Sequence, residues 1–292
     1  MTPRAWLLFA AVSVVWGVPY FFIRVAIDDD VPPVFIAWSR VVIAAAILLP
    51  LALRRGALRG LGERRLAIGA YATCEIALPF TLISVGEQHV SSSLTAILIA
   101  SMPLMVALLA LRFTAEEPPG ALRVAGLVIG LGGVVTLFGG DIAGESSQLL
   151  GAGLILLATL CYAIAPVIVD RSLADLDPLG PVAASLGLAA LALTPAAIAA
   201  PADALTLDAA ASLVTLGVVC TAGGLILFFR LIAAAGPSRA SVITYVNPAV
   251  AVALGVIVLS EHLGLASIAG LLLILAGSWL ATGGRRAVPE LA

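Results

Sequence analysis

Long apolar runs alternate with brief polar punctuation from one end of this chain to the other. A helix that crosses a bilayer needs about 20 mostly apolar residues. Ten such runs can be placed, over residues 5–25, 33–53, 66–85, 90–111, 121–140, 149–169, 179–200, 207–232, 238–259 and 265–283. The polar links are often very short. Gly86–His89 joins the third run to the fourth and Ser260–Gly264 the ninth to the tenth, so these pairs are expected to be antiparallel neighbours. The first run follows Arg4 and continues to about Val25 without a convincing small-residue cleavage site, so it reads as a membrane helix rather than a leader.

The pattern occurs twice. Ser91–Gly140 begins SSSLTAILIASMPLMVALL and Pro237–Gly284 begins PSRASVITYVNPAVAVALG. Pro103 and Pro248 lie 145 residues apart, as do Glu116 and Glu261, and Gly126 and Gly270 lie 144 apart. Internal repetition of this kind decides the architecture. Residues 1–140 form the first unit and 149–284 the second, with 285–292 as a tail. With five helices each, an odd number, the units are expected to be inverted. The predicted fold is an all-α integral membrane protein of ten transmembrane helices in two inverted five-helix repeats, a plan that places a transport site near the bilayer midplane.

Composition agrees, with 62% hydrophobic residues, 11% charged residues and a mean hydropathy of +1.16. A soluble domain is about 45–50% apolar. The polar links are too short to house a soluble enzymatic domain. No His, Cys and carboxylate cluster has metal-ligand spacing, and no GxxxxGK[ST] loop exists, so neither a metal, a cofactor nor ATP hydrolysis is expected. Nucleic acid is not an expected partner; the lipid bilayer and a small-molecule substrate are. Cys74, Cys161 and Cys220 all fall within apolar runs and read as small packed residues.

Charge sets the orientation. The chain has no Lys, and with a cytoplasmic N-terminus all Arg except Arg24 and Arg40 fall at the cytoplasmic side. The opposite links carry Asp28, Asp29, Asp30, Glu87, Asp141, Glu145, Asp203 and Asp208. This positive-inside asymmetry predicts that both termini are cytoplasmic, in a multi-pass protein of the cell inner membrane.

Few polar side chains remain inside the runs. Arg40 falls on the order of 10 Å from the outer end of the second helix, and Glu75 on the order of 14 Å into the third. Intramembrane charges face a bundle interior or a wet cavity, so both are candidate substrate-binding residues. Arg40 suits a carboxylate or phosphate; its structural alternative is pairing with a helix end or with Asp28–Asp30. Glu75 is a proton carrier, a partner of a substrate amine, a partner of Arg40, or a member of a structural polar network. Trp16, Tyr20 and Arg24 recur every four residues and form one stripe, with Arg24 close enough to the surface to snorkel. Tyr162 occupies the corresponding place in the second unit, and Tyr245 and Asn247 precede Pro248. Trp16, Tyr20, Tyr162, Tyr245 and Asn247 are expected to shape the cavity. Pro19, Pro103, Pro166 and Pro248 are expected helix breaks, where freed carbonyls can line it; simple kinks for packing are the alternative. His89 and His262 read as solvated turn residues, and Glu116 and Glu261 as caps or bridges at helix ends. Gly126, Gly130, Gly270 and Gly277 allow close helix approach, either within one chain or in a homodimer through helices 5 and 10.

Taken together these residues resemble the EamA branch of the drug/metabolite transporter superfamily over essentially the whole chain. The resemblance rests on Trp16–Gly17, Arg40, the short turn between helices 3 and 4, Pro103 with Glu116 and Gly126, and Pro248 with Glu261 and Gly270. It implies helices 1–4 and 6–9 around a central cavity, helices 5 and 10 at the periphery, and alternating-access transport of small polar metabolites, often amino acids. Export of amino acids or related compounds is the expected function, with proton coupling open. Export of lipophilic drugs or other metabolites is the alternative within transport; a membrane-embedded enzyme or a non-transporting binding protein is the alternative outside it.

Overall fold

A computed structural model describes residues 1–113, 120–139 and 146–282. Eight helices are long and apolar enough to cross a membrane: α1 (Pro3–Asp28), α2 (Pro33–Arg54), α3 (Leu61–Gly86), α4 (Ser92–Leu111), α5 (Ala121–Gly139), α6 (Ser146–Ser172), α7 (Leu179–Ala199) and α8 (Leu207–Ala235). Two shorter apolar helices follow, α9 (Ile243–Ile257) and α10 (Leu265–Ala281). Among the described residues there are no strands. Large apolar side chains such as Leu66, Leu191, Ile198, Leu207 and Leu265 point outward. Such a surface is suited to hydrocarbon, while helices satisfy the backbone without water. Glu116, the central link around Asp141–Glu145 and the tail 285–292 lie outside the described residues.

The helix starts follow capping chemistry. Thr2, Ser91 and Thr206 each accept a hydrogen bond from the backbone N–H three residues on, to Ala5, Leu94 and Ala209 respectively, as N-cap hydroxyls do. α2 and α7 pack along each other through Val41, Ala44, Leu48, Val182 and Leu186, with Phe80 of α3 closing that cluster. A second cluster joins α4, α5, α6 and α10 through Leu98, Leu104, Leu137, Ile155 and Ile274. The α5–α10 contact is a glycine seam. A Cβ on Gly126 would come 2.4 Å from the Ala281 backbone nitrogen, and one on Gly277 would come 2.3 Å from that of Gly130. These glycine faces are therefore used within the chain, and a homodimer through α5 and α10 has only their other faces available.

The prolines act unequally. α1 is interrupted at Val18, just before Pro19, and α4 at Ala100–Ser101, just before Pro103. The sequence expectation of breaks at Pro166 and Pro248 needs correction, because α6 and α9 run straight through them. A proline removes one N–H bond, and a helix can continue on both sides when neighbours accommodate the freed carbonyl. At Ser101 the side-chain hydroxyl donates to Leu98 O at 2.6 Å, a local bond that competes with the helix. The discontinuity before α9 lies instead between the short turn Pro237–Ala240 and Ile243.

Two further irregularities were invisible in the sequence. Ala72–Ala77 in α3 and Leu216–Gly223 in α8 are wound as π-helix. Such bulges are rare and often sit at functional sites. They occupy corresponding positions in the two halves, and each packs on the α2–α7 pair: the α3 segment on α7, the α8 segment on α2.

Candidate functional site

Arg40 is carried inward by α2, a helix lined on its buried side by small residues at Ala37, Ala44 and Ala45. Its side chain is 8% exposed. Nε donates to Thr221 Oγ1 at 2.6 Å, and the guanidinium carbon stands 3.8 Å from the centroid of the Phe80 ring. Thr221 belongs to the π segment of α8 and passes its own proton to Leu216 O at 2.8 Å, five residues back. The wide turn thus supplies both a carbonyl for the hydroxyl and a hydroxyl for the arginine. Among the described residues the Nη groups of Arg40 have no hydrogen-bond partner. The expected structural alternative, pairing with Asp28–Asp30, does not occur: Asp28 pairs with Arg24 at 2.7 Å and Asp29 accepts from Thr206 at 2.5 Å.

Tyr20 from α1 and Tyr162 from α6 lie within electrostatic reach of Arg40, as do Cys220 and Glu87. Tyr162 in turn senses Glu75. Glu75 sits in the π segment of α3, enclosed by protein yet retaining some accessible surface, as a side chain facing an internal space does. Arg40 and Glu75 form no ion pair with each other. Trp16 donates through Nε1 to Cys220 O at 3.1 Å, a carbonyl of the α8 π segment, and its ring lies 4.7 Å from that of Phe228. Gly224 makes this possible, since a Cβ there would fall 2.4 Å from Trp16 Nε1.

Trp16, Tyr20, Arg40, Glu75 and Tyr162 therefore gather around the two π segments. Asn247 stands beside them in the α1–α9 interface, where its amide, assigned with the nitrogen toward Ile243 O and Ser13 O, donates to them at 2.9 and 3.2 Å. Tyr245 is not brought to this group. Its hydroxyl is 3.3 Å from Thr282 Oγ1, at the end of α10. Two residues, about 200° around the helix, separate Tyr245 from the α1-facing side that Asn247 occupies, and sequence proximity to Pro248 could not distinguish the two faces.

Sequence reasoning missed Phe80, Thr221 and the burial of Glu87, whereas Glu261 caps a helix end as expected. Glu261 Oε1 accepts from the N–H and hydroxyl of Ser92, both at 2.8 Å, while Oε2 accepts from the N–H of Ser93 at 3.0 Å and its hydroxyl at 2.5 Å. The carboxylate thereby caps the positive N-terminus of α4. Gly255 leaves the space, because a Cβ there would meet Ser93 Oγ and Glu261 Oε2. Glu87, counted from sequence among the carboxylates of the links opposite the arginine-rich side, is fully buried. A signal for it was present, in that its link is too short to leave the helix ends. Among the described residues no group of three or more His, Cys, Asp or Glu is placed to hold a metal.

Comparison with known proteins identifies the family. The profile of the EamA-like transporter family matches residues 4–139 and again 149–283. The uncharacterized transporter YoaV of Bacillus subtilis is 27% identical over 280 residues, covering 93% of this chain and 94% of that one. The uncharacterized inner membrane transporter YedA of Escherichia coli is 28% identical over 252 residues, 84% of this chain and 79% of its own. Protein PagO of Salmonella typhimurium is 33% identical over 126 residues, 43% of this chain and 41% of that one. A crystal structure at 18% identity superposes with a TM-score of 0.66 over 97% of both chains, which shows the fold alone. With two family matches that together span nearly the whole chain, this multi-pass inner-membrane protein belongs to the EamA-like transporter family and is a membrane transporter.

Proposed function

We propose that the protein is a secondary transporter of small polar metabolites, amino acids or related compounds, and that it exports them. Ten helices in two inverted five-helix repeats, both termini cytoplasmic, rock about a site between the π segments of α3 and α8. The observation that carries this reading is Arg40. A buried guanidinium that gives one N–H to Thr221 and rests on an aromatic ring keeps its Nη donors for a carboxylate. Glu75, across Tyr162, is available for the amine of the same solute or for a proton. Trp16 and Tyr20 form the apolar wall.

The test is flux in proteoliposomes loaded with unlabelled amino acids and bathed in a labelled mixture, with and without a proton gradient. Exchange above empty vesicles supports an amino-acid transporter. A folded protein that shows none, while it moves other metabolites or lipophilic cations, would overturn the substrate assignment. Arg40→Ala should abolish flux of carboxylate solutes.

A further inference from the structure

Glu87 closes the outer end of α3. Its N–H bonds to Ile83 O at 2.9 Å, and its carbonyl oxygen accepts from Arg24 Nη1 at 3.0 Å. The turn is pressed against α6, where a Cβ on Gly86 would stand 2.8 Å from Ile155 and 3.1 Å from Gly151 O. Inside this clamp the side chain is 0% exposed, and neither carboxyl oxygen has a hydrogen-bond partner among the described residues. Neither nearby cation reaches the carboxyl group. Arg24 is neutralised by Asp28 and directs its other nitrogen to the Glu87 carbonyl rather than the carboxyl, and Arg40 is held by Thr221. The remaining titratable groups acting on Glu87 are Glu261, whose carboxylate caps α4, and Tyr20 of α1, while α6 meets the turn at Gly86 through Gly151 and Ile155. A cavity of about 460 Å³ lies immediately outside, lined by Arg24, Asp28, His89, Glu261 and His262, but Glu87 itself does not line it.

An ionised carboxylate buried without a partner is strongly disfavoured, and it neutralises instead. Burial pushes the Glu87 carboxyl well above the usual carboxylate range; Glu261 adds to this, Arg24 and Arg40 oppose it, and Asp28 adds a little.

We propose that Glu87 is a proton-binding site that locks this end of the bundle. Its carboxyl is neutral while Glu261 caps α4 and Arg24 holds the end of α3. When that end opens to the cavity the O–H bond breaks and the proton passes to water there. The proposal rests on the transporter reading only in assigning this opening to a transport cycle.

The linkage has a definite sign. The closed state binds the proton more tightly than the open state, so closure is fully favoured below the ordinary carboxylate pKa. It then weakens as pH rises toward the raised value in the closed state, a window that extends upward from about 4.5. One proton released per opening makes the opening equilibrium grow about tenfold per pH unit inside that window.

The experiment uses the full chain in lipid vesicles and needs no substrate. Hydrogen exchange at Ser92 and Ser93, whose amides are held by Glu261, is followed from acid to alkaline pH and divided by the intrinsic exchange rate. Infrared pH-difference spectra report the protonated carboxyl C=O stretch. In the unmodified chain, normalised opening should rise about tenfold per pH unit. Glu87→Gln should flatten that dependence and remove a C=O band that Glu75→Gln leaves in place. Opening that is independent of pH in the unmodified chain overturns the proposal even if Glu87→Gln does not fold. So does a C=O band unchanged in folded Glu87→Gln. Flux failing while these signals appear refutes the transporter reading alone; flux present without them refutes this one alone.

Discussion

Replacing Arg40 by Met separates a functional arginine from a structural one. The guanidinium gains a charged hydrogen bond that it donates to Thr221, about 1.5–3 kcal/mol, and a desolvated cation–π contact with Phe80, about 2 kcal/mol. Against this stands a desolvation penalty of several kcal/mol for a buried ion with no carboxylate to compensate it. The terms nearly cancel. Met has similar length, keeps a sulfur–aromatic contact with Phe80 worth about 0.3–1.5 kcal/mol, and orphans little, because the Thr221 hydroxyl still donates to Leu216 O. Arg40→Met should therefore leave stability within about 1 kcal/mol of the original or raise it, a shift of a few degrees at most in Tm. Flux of carboxylate solutes should fall to background. The assay is thermal unfolding in detergent beside flux from the same preparation. A loss of about 3–5 kcal/mol, the cost of breaking a compensated buried pair, would show that Arg40 holds the fold together and would refute its assignment to substrate.

Other outcomes can be checked with the same tools. Gly277→Leu, which drives a side chain into the Gly130 backbone, should lose most folded monomer by size-exclusion chromatography, whereas Gly132→Ala, which meets nothing within 4 Å, should raise stability by up to about 1 kcal/mol. Trp16→Phe keeps an aromatic face for Phe228 but drops the bond to Cys220 O, costing about 0.5–1.5 kcal/mol in thermal unfolding. Glu75→Gln should lose any acceleration of exchange by a proton gradient; unchanged acceleration would exclude Glu75 as the proton carrier.

Much of this was legible in the chain because the bilayer makes hydrophobic length a direct readout of helices. Arg40, Glu75, Trp16, Tyr20 and Tyr162 stood out for the same reason, as polar or amphipathic groups in runs where most are excluded. What could not be read is local hydrogen bonding that leaves no compositional trace. The π turns at Ala72–Ala77 and Leu216–Gly223 are apolar segments like any other, so Thr221 as the seat of Arg40 was hidden. Proline misled in the opposite direction: Pro19 and Pro103 interrupt their helices, Pro166 and Pro248 do not, and the difference lies in partners such as Ser101 rather than in the proline. The burial of Glu87 was not legible because charge at a short turn suggests water, whereas clamping of that turn on Gly151 removes it.

The four bonds that Ser92 and Ser93 donate to Glu261 span up to 169 residues of sequence. At synthesis rates of about 5–20 residues per second, the start of α4 waits roughly ten to thirty seconds for its acceptor. During insertion the first half must therefore persist with that helix end open, and the nascent chain is sealed only when the final hairpin arrives. A ribosome that stalls before Glu261 therefore leaves an unlatched bundle.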